Sequence, residues 1–154
     1  MKDDPARSTA HGFWRFAANY LLAARIIEVK IHDEGQLYFP ALHLHGLAIE
    51  LALKAFLLKR GHSLAKLRDI SHSLSKALTL ARRHKLGRTV KLTRNELLAI
   101  RILDISYSTH RLRYIVTGSI ELPNLIEISR ASETLVADLE LLCTGARGRI
   151  AHAL

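Results

Sequence analysis

The chain has almost none of the residues that staple or interrupt a fold. Its 154 residues include one cysteine and three prolines. The lone cysteine, Cys143, excludes an internal disulfide or a cysteine metal cluster and points to a reducing compartment. It sits in the apolar run LELLCTGA, where a cysteine packs as a small hydrophobe. Aromatics make up 6% of the chain, which leaves little material for stacking bases; Tyr107 and Tyr114 are the ones expected at the surface. No glycine-rich phosphate loop, HEXXH pair or Ser–His–Asp order occurs, so neither a cofactor nor a metal is expected. No run of about 18 uncharged apolar residues is present, so no membrane span is expected. The start, MKDDPARSTAHG, is too polar for a signal peptide, and a cytoplasmic location is the default expectation.

What is present is apolar and helical. Hydrophobic residues make up 49% of the chain, enough at this length for one domain with its own core. Phe16, Ala17, Tyr20, Ala24, Ile27 and Ile31 recur at helical spacing and predict a first helix over 11–31. Pro40, as a first helical residue, and Gly61, as a left-handed cap, bracket a second helix over 40–60. Residues 62–70 read as a connector with room for one helical turn. A third helix is expected over 71–85, with Leu74, Leu78 and Ala81 on one face and Gly87 as its stop. The capping box TRNE (93–96) opens a fourth over 94–108. Residues 109–122 read as a structured loop. Pro123 opens a fifth helix that ends at Gly145, with Leu125, Ile128, Leu135, Leu139 and Leu142 toward the core. The expected fold is all-α: an antiparallel up-and-down bundle of four to five helices over 11–146, with flexible ends at 1–10 and 147–154.

The stretch ALHLHGLAIELALKAFLLKRG (41–61) is apolar nearly all round, as befits a central helix. His43, Gly46, Glu50 and Lys54 fall on one narrow stripe, with Glu50 and Lys54 in the favourable i,i+4 order. Gly46 leaves room on that stripe for another helix or a ligand. His43 and His45 stand about 200° apart, so they cannot share a metal. Glu50 reads as a general base or as a structural ion-pair partner of Lys54.

Charge is uneven. Between Lys54 and Arg94 stand 12 Lys or Arg and one acid, Asp69, giving +11; the net charge of +9 leaves −2 for the rest. If the second and third helices are neighbours, Lys54, Arg60, Arg68, Arg82, Arg83 and Lys85 share a surface. Such a block attracts phosphate-bearing partners, or it is only a solvated face.

The run GLAIELALKAFLLKRG (46–61), ISHSL (70–74) and RLRY (111–114) ahead of a last long helix resemble, in that order, the HEPN family, the higher eukaryotes and prokaryotes nucleotide-binding domains. Ala48, Glu50, Leu53, Lys54, Ala55, Gly61, His72, Leu74, Arg113 and Tyr114 carry the match. The resemblance implies a bundle of four or five helices, often a homodimer, that binds RNA or nucleotides. It also implies the ligand-binding residues His72, Arg113 and Tyr114, with Glu50 and Lys54, and the basic block adds Arg82 and Arg83 as expected ligand contacts. Two other roles come with it. One is a metal-independent endoribonuclease of toxin type with an Arg-x(4–6)-His motif; the other is a protein partner in a two-gene, toxin–antitoxin-like system. Arg101 and His110 lie near the expected place of that motif but have eight residues between them, whereas Arg25–His32 and Arg147–His152 fit only by arithmetic. His72 can equally cap the third helix, and Tyr114 can equally anchor a loop in the core.

Overall fold

The computed structural model describes residues 8–114 and 117–146. It is an all-α bundle of six helices: α1 (Ala10–Ile31), α2 (Tyr38–Lys59), α3 (Leu64–Ile70), α4 (Leu74–Arg83), α5 (Arg94–Tyr107) and α6 (Leu125–Thr144). No strand forms among the described residues. Helix α2 is the axis. Thirteen of its 22 residues are buried, and it packs against α1, α4, α5 and α6. That burial accounts for its composition: with the turn before it, α2 is long and apolar enough to cross a membrane, and the bundle occupies that apolar surface instead.

Side-chain bonds give the helix directions. The Trp14 Nε1 donates to the Val136 carbonyl at 2.8 Å, while Glu28, further along α1, meets Ser129, earlier in α6; α1 and α6 are antiparallel. The Tyr38 hydroxyl donates to the Pro123 carbonyl and His45 meets Ser132, so α2 and α6 run parallel. Asp104, near the end of α5, accepts from Ser73 and Leu74 at the start of α4, so these two are antiparallel.

The sequence reading holds for α2, α5 and α6 within one to two residues at each end. The Thr93–Glu96 capping box is formed, with bonds of 3.1 and 2.7 Å. Gly145 caps α6 at φ 75°. Several expectations are corrected. The connector 62–70 contains α3, and the third helix begins at Leu74. A short echo, HSLAK at 62–66 and HSLSK at 72–76, is the signal that separates them: Ser63 and Ser73 each accept from the backbone of the lysine three residues on. The stop after α4 is Lys85, left-handed at φ 66°, rather than Gly87. Pro40 is the third residue of α2, and Pro123 precedes the true cap, Asn124. In α1 the buried face is Trp14, Ala17, Leu21 and Ala24; Phe16 is 58% exposed, because the core face is rotated from the one expected. Thr9 caps α1, so order begins before residue 11. The expected C-terminal tail, 147–154, lies outside the described residues, as does Arg147–His152.

Candidate functional site

The polar stripe of α2 is neither wet nor idle. Gly46, Glu50 and Lys54 are buried and His43 is half-buried; Gly46, Glu50 and His43 meet Tyr107 of α5, while Lys54 borders α1 and α3. Glu50 is the hub. Its Oε1 accepts from Lys54 Nζ at 2.6 Å, its Oε2 accepts from the Tyr107 hydroxyl at 2.6 Å, and His72 Nδ1 lies 3.2 Å from both oxygens. Burial acts to raise the Glu50 pKa. The hydrogen bonds from Lys54 and Tyr107, the Lys54 charge and the His72 bond outweigh it and hold the carboxyl below its ordinary value. The same arrangement pushes the Tyr107 phenol far upward, through its burial and the Glu50 charge.

Gly46 makes this possible. A Cβ at position 46 would lie 2.4 Å from Tyr107 Cδ2, so only glycine lets the tyrosine cross α2 to reach Glu50. The room read at Gly46 in the sequence is thus filled by a ring of α5. Tyr107 is 2% exposed, against the expectation of a surface aromatic.

An ionised carboxylate only accepts, so His72 donates Nδ1–H to Glu50, and in the neutral ring the lone pair falls on Nε2. The side chain is 46% exposed. His72 does not cap α4, a task shared by Ser73 and Asp104. It stands instead on a tight turn. Ser71 adopts φ 56°, ψ −131°, a conformation that favours glycine. The ring of His110 meets that of His72 edge-on at 5.6 Å. His110 is also left-handed, at φ 60°, and its buried Nδ1 has no partner. Among the described residues, two of the three positive-φ residues other than glycine, Ser71 and His110, thus belong to or adjoin one imidazole pair, and such strain concentrates at working sites. His43 packs on Tyr107 at 5.6 Å, and burial, then the Arg113 charge, lowers its pKa.

The turn after α5 continues the site. Arg111 and Arg113, with Phe39, Leu112, Tyr114, Gly118 and Ile120, line a cleft of about 380 Å³. Tyr114 is 70% exposed and anchors nothing in the core. The structure thus brings His72, Glu50 and Lys54 together, with Arg113 and Tyr114 on the adjoining turn. Lys54 is spent on Glu50 and does not join the basic surface. Arg82 and Arg83 are exposed eight and nine residues along α4, about 12–14 Å away. Arg101 is exposed on α5, and no hydrogen bond or ring contact among the described residues ties it to His110. Tyr107 was the residue missed by the sequence reading.

The basic block is purer in space than in sequence. Of the acids between 50 and 104, Glu50, Glu96 and Asp104 are buried in the hub or in helix caps, and only Asp69 is exposed. Lys76, Arg82, Arg83, Lys85, Arg88, Lys91 and Arg94 are all exposed.

On the opposite face of α2, His45 forms a closed network. Its Nδ1 lies 2.7 Å from Ser132 Oγ, and that hydroxyl donates to the Ser129 carbonyl at 2.8 Å. Its Nε2 meets Glu28 at 2.7 Å. Ser132, His45 and Glu28 have the composition of a hydrolytic relay, but Ser132 and His45 are fully buried, so no substrate reaches them. Cys143 is buried, with its thiol pushed up to about 11 by burial, and is inert at neutral pH.

No protein-family model, curated protein or solved structure matches the chain.

Proposed function

We propose that the chain is a HEPN-like module that binds RNA or another phosphate-bearing ligand along α4 and α5. The observation that carries the reading is the one-sided use of charge. Acids of this region are turned inward while seven Lys and Arg side chains stay exposed from Lys76 to Arg94. At the His72 end, two imidazoles and Arg113 supply donors suited to phosphate oxygens. Counterion release then supplies the affinity: each phosphate neutralised releases about 0.7 counterion from a single strand. Four to six contacts weaken binding by about a thousandfold or more for a tenfold rise in salt. With few exposed aromatics, sequence preference is small.

The test is a titration of a labelled RNA at two salt concentrations with wild type and with an Arg82→Glu, Arg83→Glu double variant. The expected outcome is a steep salt slope for wild type and a shallower slope with weaker binding for the variant. Equal affinity of the two proteins, or no salt slope, refutes the reading.

One observation favours a second reading, a metal-independent endoribonuclease. The free Nε2 of His72 beside His110 is a fit pair for proton abstraction and donation. Turnover of the same RNA that disappears in His72→Gln supports it, and unchanged turnover in that variant refutes it.

A further inference from the structure

We propose that His72 is a nucleophile, whose Nε2 takes a phosphoryl group from a small phosphoryl donor to form a phosphohistidine. The inference rests on the reading of this end of α4 and α5 as a phosphate site and adds a covalent step to it. The geometry is that of an activated nucleophile oriented by a third group. Glu50 accepts the Nδ1 proton through both oxygens, which directs the lone pair to the exposed Nε2. Lys54 and Tyr107 hold that carboxylate in place from two other directions. His72 follows the turn at Ser71, between the end of α3 and the start of α4, and the cleft lined by Arg111 and Arg113 begins one residue after His110.

The step balances with these groups. The Nε2 lone pair attacks phosphorus, and the bond from phosphorus to the leaving atom breaks with its electron pair on that atom. Where the leaving atom is an oxygen, His110, with its ring 5.6 Å from His72, supplies the proton it takes; the nitrogen of a phosphoramidate is already protonated at neutral pH and leaves as ammonia. His72 keeps its Nδ1 proton, so the phosphorylated ring is cationic and faces the Glu50 carboxylate. The contrast with His45 is what selects His72: the same carboxylate–imidazole pairing is there closed on both nitrogens and shielded from any donor.

The experiment treats the full chain at neutral pH with phosphoramidate, whose P–N bond breaks as ammonia leaves. Adducts are followed by ³¹P NMR and placed by mass spectrometry without acid. The chain has nine histidines, and His11, His32 and His84 are exposed like His72 and serve as internal references. The expected result is that His72 is labelled about a hundredfold faster than these three, the lower end of what a positioned acid–base group contributes. His72→Gln removes the fast phase. Tyr107→Phe, which keeps the ring and frees one Glu50 oxygen, slows it. Equal labelling of His72 and the three references overturns the proposal, as does RNA cleavage that depends on His72 while wild type forms no adduct. The two readings fail separately: loss of the salt slope with fast His72 labelling sinks only the RNA module, and the reverse sinks only the nucleophile.

Discussion

Helix α2 contributes one member of a histidine–glutamate pair on each of two faces, and the two pairs have opposite fates. At His45 every polar atom in reach is matched. The imidazole bonds on both sides, its serine bonds onward, and the residue is fully buried. At His72 the same pairing stops halfway. Glu50 is saturated by three donors, while the imidazole keeps one nitrogen free and the nearby His110 and His43 each leave an Nδ1 without a partner. Ser71 and His110, two of the positive-φ residues among the described ones, stand on the second side, and none stands in the His45 network. A closed network specifies packing; an open one, held rigid from behind and unfinished in front, is where chemistry is available.

The largest effect should come from removing the hub. Glu50→Ala leaves Lys54 buried without its carboxylate, and breaking a buried pair in this way costs about 3–5 kcal/mol. On the other face, Glu28→Ala removes the partly exposed partner of the buried His45 and costs about 1–3 kcal/mol, the range for a buried group left unsatisfied. Urea unfolding of both variants checks the order, and a larger loss at Glu28 would break the comparison. Gly46→Ala comes next. Its methyl group has no space beside Tyr107, and overpacking costs about 1–3 kcal/mol. The same variant should detach Tyr107 from Glu50, seen as a change in tyrosine absorbance. A variant as stable as wild type would show that the ring moves aside freely.

Acid should have the smallest and most graded effect. His43 has a lowered pKa in the fold, so its contribution is complete above the unfolded value of about 6.5 and is lost as pH falls below it. Glu50 and Glu28 are also lowered, so their contributions persist to about pH 4.3 and are lost below it. A melting temperature followed from pH 8 to 3 should therefore fall in two stages, the first smaller in His43→Phe, with the remainder owed to His62, whose pKa burial also lowers. A rise in stability between pH 7 and 5 would contradict the sign.

Much of the fold was legible because it rests on local rules. The Thr93–Glu96 box and Gly145 are short-range signals, and the structure uses both as written. The stripe of His43, Gly46, Glu50 and Lys54 was also legible, because helical spacing alone places it on one face. What covers that stripe was not. Tyr107 meets Glu50 across 57 residues of sequence, and periodicity in α5 cannot say which helix it will face. The phase of α1 was missed for the same reason. Phe16 and Trp14 both suit an amphipathic helix, and the choice is made by the Val136 carbonyl at the far end of the chain. Capping decided the split between α3 and α4, whose paired serines outweigh the hydrophobic pattern running across them.

The bond from Trp14 to Val136 has a consequence for how the bundle assembles. It joins residues 122 apart, so the floor under α1 is missing until the last helix docks. The α1–α2 hairpin can form early from contacts close in sequence, but its core remains open while α6 is absent, and non-local closure of this kind is slow. The chain has a single tryptophan, and it lies at that closing contact, 3% exposed. Its fluorescence is therefore a clock for the final event of folding rather than for the collapse that precedes it, and the delay between helical signal and indole signal measures how long the bundle waits for its last member.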